Sequence, residues 1–511
     1  MQPTAPFLIR GYWLFPGGQT PEQIIRDGAV VVDSETIVEV GPWVELRQRY
    51  PAAAVLGSEG HAVLPGLINA HHHASGVTHI QQGVTDQLLE PWLLEMASCR
   101  ETDPFLATQL TGARLLRSGV TSVVEVYSND GPPEALAANL ERSLNGYAQA
   151  GLRVAFAIGL KQQCHLFGGD DEAFLQTLPA GVQALTRRSL PGPGAAMPAD
   201  YFAIMDGLWR RYAGHPRLEL WFAPPGLQSV SDEFFMRIVE TAERYDTGVQ
   251  THLEESVYEK LYGLRAYGAP TVQHLAQLGV LSPRLSFAHG VWLTEAEIEL
   301  LAESGAAVSH NPSSNLRLRA GIAPLNTLLA AGVTVGLGMD GMTINDNEDM
   351  WQEMRLALRL HRTPRLNSPA PTPAQIFQLA THGGATLLRA ADWRGSLASG
   401  YLADIVLLKL DRIMWPWTAP EVDPLTLILY RAAAGDVDTV LVGGQVVVEA
   451  GRVTTLDEAA VGQELAARLR QTDYPADQAA LVEALKPYIE QYYQSWPMEE
   501  FQPYTIYNSR S

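Results

Sequence analysis

Short apolar runs alternate with longer amphipathic stretches through the middle of this 511-residue chain. The runs favour Val, Ile, Leu and Phe, as buried parallel strands do, and the stretches between them have the spacing of helices. An apolar run at 62–64 leads through a Pro-Gly turn into the first strand candidate, which ends in the histidines at 71–73. The other strand candidates are 121–126, 153–158, 218–223, 248–252, 285–289, 306–310 and 333–337. Segments with helical spacing precede most of them, at 106–118, 135–150, 232–244 and 295–304. Eight alternating units predict an α/β fold, a parallel (β/α)8 barrel of the TIM type.

The two ends of the chain differ from this pattern. Short strands and turns fill residues 8–60, and a similar pattern returns at 403–408 and 439–448. These strands can pair into one small discontinuous β-sandwich domain that the barrel interrupts. We therefore predict a β-sandwich from 1–60 and 395–455, a barrel over 61–394, and a helical and aromatic C-terminal extension over 456–511. The aromatic tail of that extension is expected to pack against its own barrel or a sister subunit.

One connection is unusually long for a barrel. Residues 162–213 separate the third and fourth strand candidates and contain a Pro-Gly-rich segment at 190–194. Long connections of this kind are often functional. The segment is a candidate lid or specificity loop, with inert decoration as the alternative.

Composition narrows the class of protein. The chain is 46% hydrophobic and 18% charged, an ordinary balance for a soluble globular enzyme. Its formal net charge of −20 argues against binding nucleic acid or an anionic membrane surface. The N-terminus lacks the basic segment followed by an apolar segment that is typical of a signal peptide. No apolar run is long enough to span a bilayer. Two cysteines, Cys99 and Cys164, fit a reducing cytoplasm.

Three consecutive histidines end the first strand candidate. In an extended strand residues i and i+2 project to the same side, so His71 and His73 can point into one cavity while His72 faces away. Two converging imidazoles are half of a catalytic metal site.

Later strand ends add to this pair. Strand five ends at His252, strand six at His289, and strand eight is followed by Asp340. Taken singly, His252 would more often be a core histidine and Asp340 a turn residue beside glycine. Their shared position at strand C-termini instead indicates a catalytic metal site, because reactive groups of such barrels lie there. Glu255 follows His252 by three residues and can take a proton from metal-activated water and deliver it to a leaving group.

Taken together, these strand-end residues make the chain resemble the amidohydrolase superfamily. It is most similar to the branch of cytosine, guanine and 8-oxoguanine deaminases and triazine hydrolases. The motifs that carry the resemblance are 65–73 (PGLINAHHH), 251–255 (THLEE), 288–289 (AH), 309–318 (SHNPSSNLRL), 321–324 (GIAP), 338–341 (GMDG), 395–397 (GSL) and 400–404 (GYLAD). The match covers roughly residues 8–455 and leaves the C-terminal extension outside.

The resemblance implies a role for each matching residue. One divalent ion, zinc with iron or manganese as alternatives, would be held by His71, His73, His252 and Asp340. Glu255 would shuttle a proton between the nucleophilic water and the departing nitrogen. His289 would steady the water or the developing oxyanion, and Asp340 could also accept a proton from the water. Strand four lacks the carboxylated lysine of binuclear relatives, and Lys161 lies after strand three, which favours a mononuclear site.

Departures from the family pattern bear on the substrate. Residues 223–229 (APPGLQS) replace the Pro-His-Ala-Pro-Tyr of many nucleoside-type deaminases, which disfavours an adenosine-like substrate. Gln82 stands where relatives often carry arginine before glycine. The candidate substrate-binding residues are Gln82, Glu125, Gln162, His165 and His310. Such a neutral to polar pocket suits an uncharged heterocycle.

The resulting hypothesis is a metal-dependent aminohydrolase of an N-heteroaromatic ring such as a pyrimidine, purine, pterin or triazine. One alternative is a hydrolase of an open amide, carbamate or urea that uses the same metal site. A remote alternative is a non-catalytic scaffold, against which Glu255 speaks because a scaffold needs no proton shuttle. The family also implies a homodimer.

Overall fold

The computed structural model describes residues 6–18, 23–128, 132–191 and 194–498, together with residues 502 and 504. Parts of two predicted segments, residues 192–193 of the long connection and most of the aromatic tail beyond residue 498, lie outside this range. The strands are β1 (Phe7–Leu14), β2 (Ile25–Asp33), β3 (Thr36–Pro42), β4 (Val55–Pro65), β5 (Leu67–His72), β6 (Val120–Ser128), β7 (Arg153–Gly159), β8 (Leu218–Phe222), β9 (Val249–Leu253), β10 (Leu285–His289), β11 (Ala307–His310), β12 (Thr334–Leu337), β13 (Ile405–Lys409), β14 (Val437–Val442), β15 (Gln445–Glu449) and β16 (Arg452–Val453).

Helices fill most of the connections. They are α1 (Trp43–Arg49), α2 (Leu89–Met96), α3 (Pro104–Arg117), α4 (Pro133–Ala150), α5 (Asp171–Leu175), α6 (Ala180–Ser189), α7 (Pro198–Tyr212), α8 (Asp232–Arg244), α9 (Val257–Tyr267), α10 (Thr271–Gln277), α11 (Glu295–Ser304), α12 (Pro312–Arg317), α13 (Leu325–Ala330), α14 (Met350–Leu360), α15 (Pro373–Gln378), α16 (Gly384–Leu387), α17 (Asp411–Met414), α18 (Pro424–Arg431), α19 (Glu458–Gln471) and α20 (Ala476–Gln494). Single turns of 3-10 or π type occur at Ile80–Gln82, Leu227–Ser229, Leu379–Gly383 and Ala434–Asp436.

The eight central strands form one parallel sheet in sequence order from β5 to β12. The sheet curls until its last strand meets its first, where the amides of Met339 and Asp340 donate to the carbonyl of His71 at 3.2 and 2.9 Å. Gly336 makes this approach possible, because a Cβ there would lie 2.6 Å from that of Ala70. The predicted (β/α)8 barrel is confirmed.

The predicted Pro-Gly turn at 65–66 separates two strands, β4 and β5, which belong to different sheets. Gly66 separates β4 from β5, and its amide donates to the carbonyl of Asp404 at 2.8 Å. A side chain on Gly66 would collide with that of Thr121. The chain therefore leaves the small sheet at Pro65 and enters the barrel at Leu67.

A second sheet joins the two ends of the chain, in the order β16-β15-β14-β13-β4-β1-β2-β3. It is antiparallel apart from the parallel pair β1 and β4. Strand β4 pairs with β13 as far as Pro65, so it crosses the predicted boundary at residue 60. Val63, Ile405 and Leu407 pack with Val30 and Leu441 in one buried cluster. The predicted small discontinuous β domain is confirmed.

The C-terminal extension forms two helices that lie on the barrel. Helix α19 packs against α3, where Leu465 contacts Leu106 and Leu110. Helix α20 packs against α2 and α6. The described part of the C-terminal extension therefore contacts its own barrel. This is one of the two predicted alternatives, the other being a sister subunit.

A search of the described helices finds none that is both long and apolar enough to cross a bilayer. The cytoplasmic location and the homodimer stay predictions.

A buried carboxyl in the barrel wall makes stability depend on pH. Glu353 in α14 accepts hydrogen bonds from the amide and hydroxyl of Ser313, at 2.8 and 2.6 Å. Burial nevertheless raises the pKa of Glu353 from 4.5 to about 7, so the folded chain binds this proton more tightly than the unfolded chain. The stability that it contributes is fully present below pH 4.5 and is lost as the pH rises to about 7.

We expect Glu353→Gln to remove this dependence, because an amide does not ionise. The free energy of unfolding of the variant, relative to that of the wild type, should increase by about 2–3 kcal/mol between pH 5 and pH 8. Urea unfolding across this range measures it, with the exposed Glu240→Gln as control. A difference between the variant and the wild type that does not change with pH contradicts the assignment.

Candidate metal-dependent active site

Four imidazoles meet at the carboxyl-terminal end of the barrel, and an oxygen atom lies against Nδ1 of each ring. The pairs are His71 with Gln250 Oε1 at 2.8 Å, His73 with Val126 O at 2.9 Å, His252 with Pro225 O at 2.6 Å, and His289 with Asn315 Oδ1 at 2.8 Å. Carbonyl oxygens only accept, so each Nδ1 carries the proton and donates it. The lone pair of each neutral ring therefore lies on Nε2.

These Nε2 atoms converge on one carboxylate. His71 Nε2 lies 3.0 Å and His73 Nε2 lies 3.4 Å from Asp340 Oδ1, and His73 Nε2 lies 3.2 Å from His252 Nε2. The candidate ligand atoms of His71, His252, His289 and Asp340 all lie within 4.8 Å of one another. His73 adjoins this group through its contacts with Asp340 and His252.

Such a cluster fits a divalent cation. Nε2 of His71 is buried and has no hydrogen-bond partner among the residues that the structure describes. Lone pairs that face one another repel unless a cation lies between them, and imidazole nitrogens with one carboxylate are the donors that zinc and iron prefer. The donor set and its orphaned nitrogen therefore fit a metal ion.

The backbone at three strand ends is left-handed. Glu254, His289 and Asp340 have φ values of 46°, 75° and 55°, a conformation that non-glycine residues rarely adopt and that often marks functional sites. The hydroxyl of Ser314 donates to Asp340 Oδ2 at 2.5 Å. The turn at Glu254 directly follows β9 and precedes Glu255.

Glu255 lies beside the cluster. Its Oε2 is 3.5 Å from His289 Nε2, and its Oε1 is buried with no hydrogen-bond partner in the described part of the chain. Its amide donates to Glu259 Oε2 at 2.7 Å, which fixes the turn. Burial, together with the charges of Asp340 and Glu259, raises the pKa of the Glu255 carboxyl well above its ordinary value. The surroundings of this carboxyl therefore favour its protonated form.

Glu254, the residue before Glu255, belongs to a buried group of three charged side chains. The ammonium of Lys260 donates to Glu254 Oε2 at 2.9 Å and also contacts Glu297, and all three side chains are almost fully buried. The carbonyl of Glu254 accepts from the amides of Val291 and Trp292. These contacts hold the left-handed residue that precedes Glu255.

A family model described as the amidohydrolase family matches residues 62–447. The chain belongs to the amidohydrolase family. A second model, an imidazolonepropionase-like composite domain of bacteria, matches residues 28–53 in the small sheet.

Individual relatives agree with the family. The chain is 29% identical over 445 residues to a 5'-deoxyadenosine deaminase of Methanosarcina mazei, covering 86% of this chain and 92% of the relative. It is 34% identical over 440 residues to an 8-oxoguanine deaminase of Pseudomonas aeruginosa, covering 85% and 92%. A solved adenosine deaminase from Xanthomonas campestris with bound zinc is 28% identical, with a TM-score of 0.76 over 92% of this chain and 99% of that one. The chain is thus a metal-dependent amidohydrolase that acts on C–N bonds, as predicted.

His72 lies on the opposite face of β5, as the strand alternation predicts. Its Nδ1 is 3.2 Å from Glu125 Oε2, which also accepts from the hydroxyl of Tyr147 at 2.8 Å. The other oxygen of Glu125 accepts from the amide of Ala74 at 2.7 Å. Glu125 thus supports the histidine segment of this amidohydrolase, and a direct contact with substrate stays a prediction.

The remaining predicted substrate residues also have protein partners. Gln82 Oε1 accepts from the amide of Arg100, and Gln162 Oε1 accepts from that of Ser231, at 2.8 and 2.9 Å. His310 Nε2 lies 2.9 Å from His361 Nε2. The amide of His165 donates to Asp171, and its carbonyl accepts from Lys161. These contacts order the connections around the site, and substrate binding by the four residues stays a prediction.

Sequence reasoning missed two residues that orient the imidazoles. Gln250 precedes His252 by two residues and shares its side of β9, so an amide on the same side of the strand as a predicted ligand was the available signal. Its Nε2 donates to the carbonyl of Ala70, which directs Oε1 to His71. Asn315 lies in the SHNPSSN motif, but nothing in its spacing predicts a contact with His289.

Proposed function

We propose that this amidohydrolase is a zinc-dependent aminohydrolase that releases ammonia from an N-heteroaromatic ring. One observation carries the proposal: the buried carboxyl of Glu255 lies 3.5 Å from His289 Nε2, beside a cluster of imidazole lone pairs. The names of the relatives support it, because the curated ones act on 5'-deoxyadenosine and 8-oxoguanine.

The residues that would hold the ion are His71, His73, His252 and Asp340. When bound, a divalent ion supplies Lewis-acid activation of water and stabilises developing negative charge. Zinc is favoured by the mixed nitrogen and oxygen donors and by the zinc in the Xanthomonas campestris enzyme.

Glu255 moves the protons. Its carboxylate takes a proton from the water that adds to the amino-bearing ring carbon and passes it to the adjacent ring nitrogen. A second proton from the added hydroxyl goes to the amine, which leaves as ammonia while the ring carbon becomes a carbonyl. The low-polarity surroundings that raise the pKa of Glu255 stabilise its protonated form between these transfers.

His289 is neutral and can accept a hydrogen bond through Nε2. Burial lowers the pKa of His289 to about 4, so the ring is neutral at pH 7. Its Nδ1 proton is donated to Asn315, which leaves the Nε2 lone pair directed at the cluster. His289 therefore accepts a hydrogen bond from the attacking water and orients it, and does not donate to an oxyanion.

Ammonia release across a panel of ring amines tests the proposal. The panel contains aminopyrimidines, aminopurines, aminopterins and aminotriazines, and phenylureas and simple amides form the comparison set. We expect turnover of at least one ring amine, with release of ammonia and formation of the ring carbonyl. Mass spectrometry of the product detects the carbonyl. Turnover confined to ureas or amides, or no turnover by zinc-loaded protein, contradicts it.

A further inference from the structure

Helix α20 touches three connections at the catalytic end of the barrel. These connections follow β5, β7 and β9, and in a (β/α)8 barrel such connections build the substrate site. The helix belongs to the extension that the family model does not cover. Its contacts therefore bear on how this particular chain binds substrate.

The first contact is with the connection after β5. The ammonium of Lys486 donates to Gln87 Oε1 at 3.0 Å and pairs with Glu95 of α2. Helix α2 also reaches the catalytic turn, because the hydroxyl of Ser256 donates to Glu90. Through α2, helix α20 is connected to the residue that follows Glu255.

The second contact is with the connection after β7. The hydroxyl of Tyr493 accepts the amide proton of Gly168 at 2.9 Å. The rings of Tyr492 and Phe167 meet edge to face with their centroids 4.4 Å apart. This connection is the long one that its length marks as a candidate specificity loop.

The third contact is with α9, which begins two residues after Glu255. The ring of Tyr493 lies 4.6 Å from that of Tyr258, and the guanidinium of Arg265 lies 4.5 Å from the ring centroid of Trp496. The buried face of α20 joins α9 and the β7 connection in one apolar cluster, whose members include Phe167, Phe174, Leu261, Leu481, Leu485, Ile489, Tyr493 and Trp496.

We propose that α20 holds these three connections in their substrate-binding arrangement and that Tyr493 positions the connection after β7. This inference rests on the proposed function. In it, helix α20 governs substrate affinity and leaves the proton transfers at Glu255 unchanged. Tyr493 is a positioning residue, because its hydroxyl bonds the chain and acts on substrate only through Gly168.

The test is Tyr493→Phe, which removes the hydroxyl and keeps the ring. Loss of one hydrogen bond that orders the binding arrangement should raise KM by about three- to tenfold and leave kcat within about twofold. Tyr488→Phe is the matched control on the same helix, since its hydroxyl has no hydrogen-bond partner in the described structure. Equal KM values for the two variants, or a fall in kcat with KM unchanged, overturn the proposal.

A second measurement does not need turnover. Hydrogen exchange of the full-length protein should speed up around Gly168 in Tyr493→Phe and along α2 in Lys486→Met, but at neither place in Tyr488→Phe. Unchanged exchange in the first two variants overturns the role of α20. If the wild type deaminates no ring amine, the proposed function fails, and the exchange result still decides whether α20 orders the connections.

Discussion

Replacing Glu255 with glutamine is expected to lower kcat for ammonia release by about 10²- to 10⁴-fold, the range for loss of a general acid–base group. Glutamine keeps the volume and can still accept a hydrogen bond, but it cannot carry a proton from water to the ring and then to the amine. Because the carboxyl is buried and one of its oxygens has no hydrogen-bond partner among the described residues, a neutral amide should not lower the melting temperature. Metal content should also stay unchanged, since the amide replaces no ligand.

Steady-state kinetics and metal analysis of the same preparation check this result. Glu240→Gln is the matched control, because it makes the same chemical change at an exposed position of α8. A Glu255→Gln protein that keeps full turnover, with its metal in place, would show that another group moves the protons.

The second large effect is expected for His252→Ala. The ring of His252 stacks between His73 and His289, with centroids 5.3 and 5.4 Å away, and its Nε2 points at the cluster. Removal of a residue that only orients a ligand already weakens metal binding by about 10- to 100-fold. Loss of a ligand should weaken it further, so that the purified variant contains little metal and shows no turnover.

His61→Ala is the control for this variant. His61 lies in β4 of the small sheet, where its Nδ1 is 3.0 Å from the hydroxyl of Ser58. It should retain the wild-type metal content. A His252→Ala protein with wild-type metal content would contradict the assignment of His252 as a ligand.

The barrel was predictable because its strands are buried on both faces and read as apolar runs. The ends of those runs then place His71, His252 and Asp340 together, since all parallel strands present their carboxyl ends on one side. Strand alternation separates His72 from its neighbours. These inferences need only local periodicity and the closure of one sheet.

Partners that are distant in the chain were not predictable. His71 and Gln250 are 179 residues apart, and only the pairing of strands across the barrel brings them into contact. The turn at 65–66 is visible in the sequence as Pro-Gly, but the apolar run 62–64 joins the small sheet only through the pairing of β4 with β13. Likewise, the contacts of α20 depend on tertiary packing that helical periodicity does not reveal.

Zinc titration of metal-free protein tests whether the histidine and aspartate cluster at the barrel mouth is a catalytic metal site. After chelator treatment, ammonia release from a ring amine is measured as zinc is added to the wild type, with His252→Ala alongside. We predict that turnover is lost on chelation and returns in proportion to zinc, reaching its plateau at about one equivalent, as expected for one site with His71, His73, His252 and Asp340 as ligands. The variant should recover none. Turnover that survives complete removal of metal would show that this cluster is not a catalytic metal site.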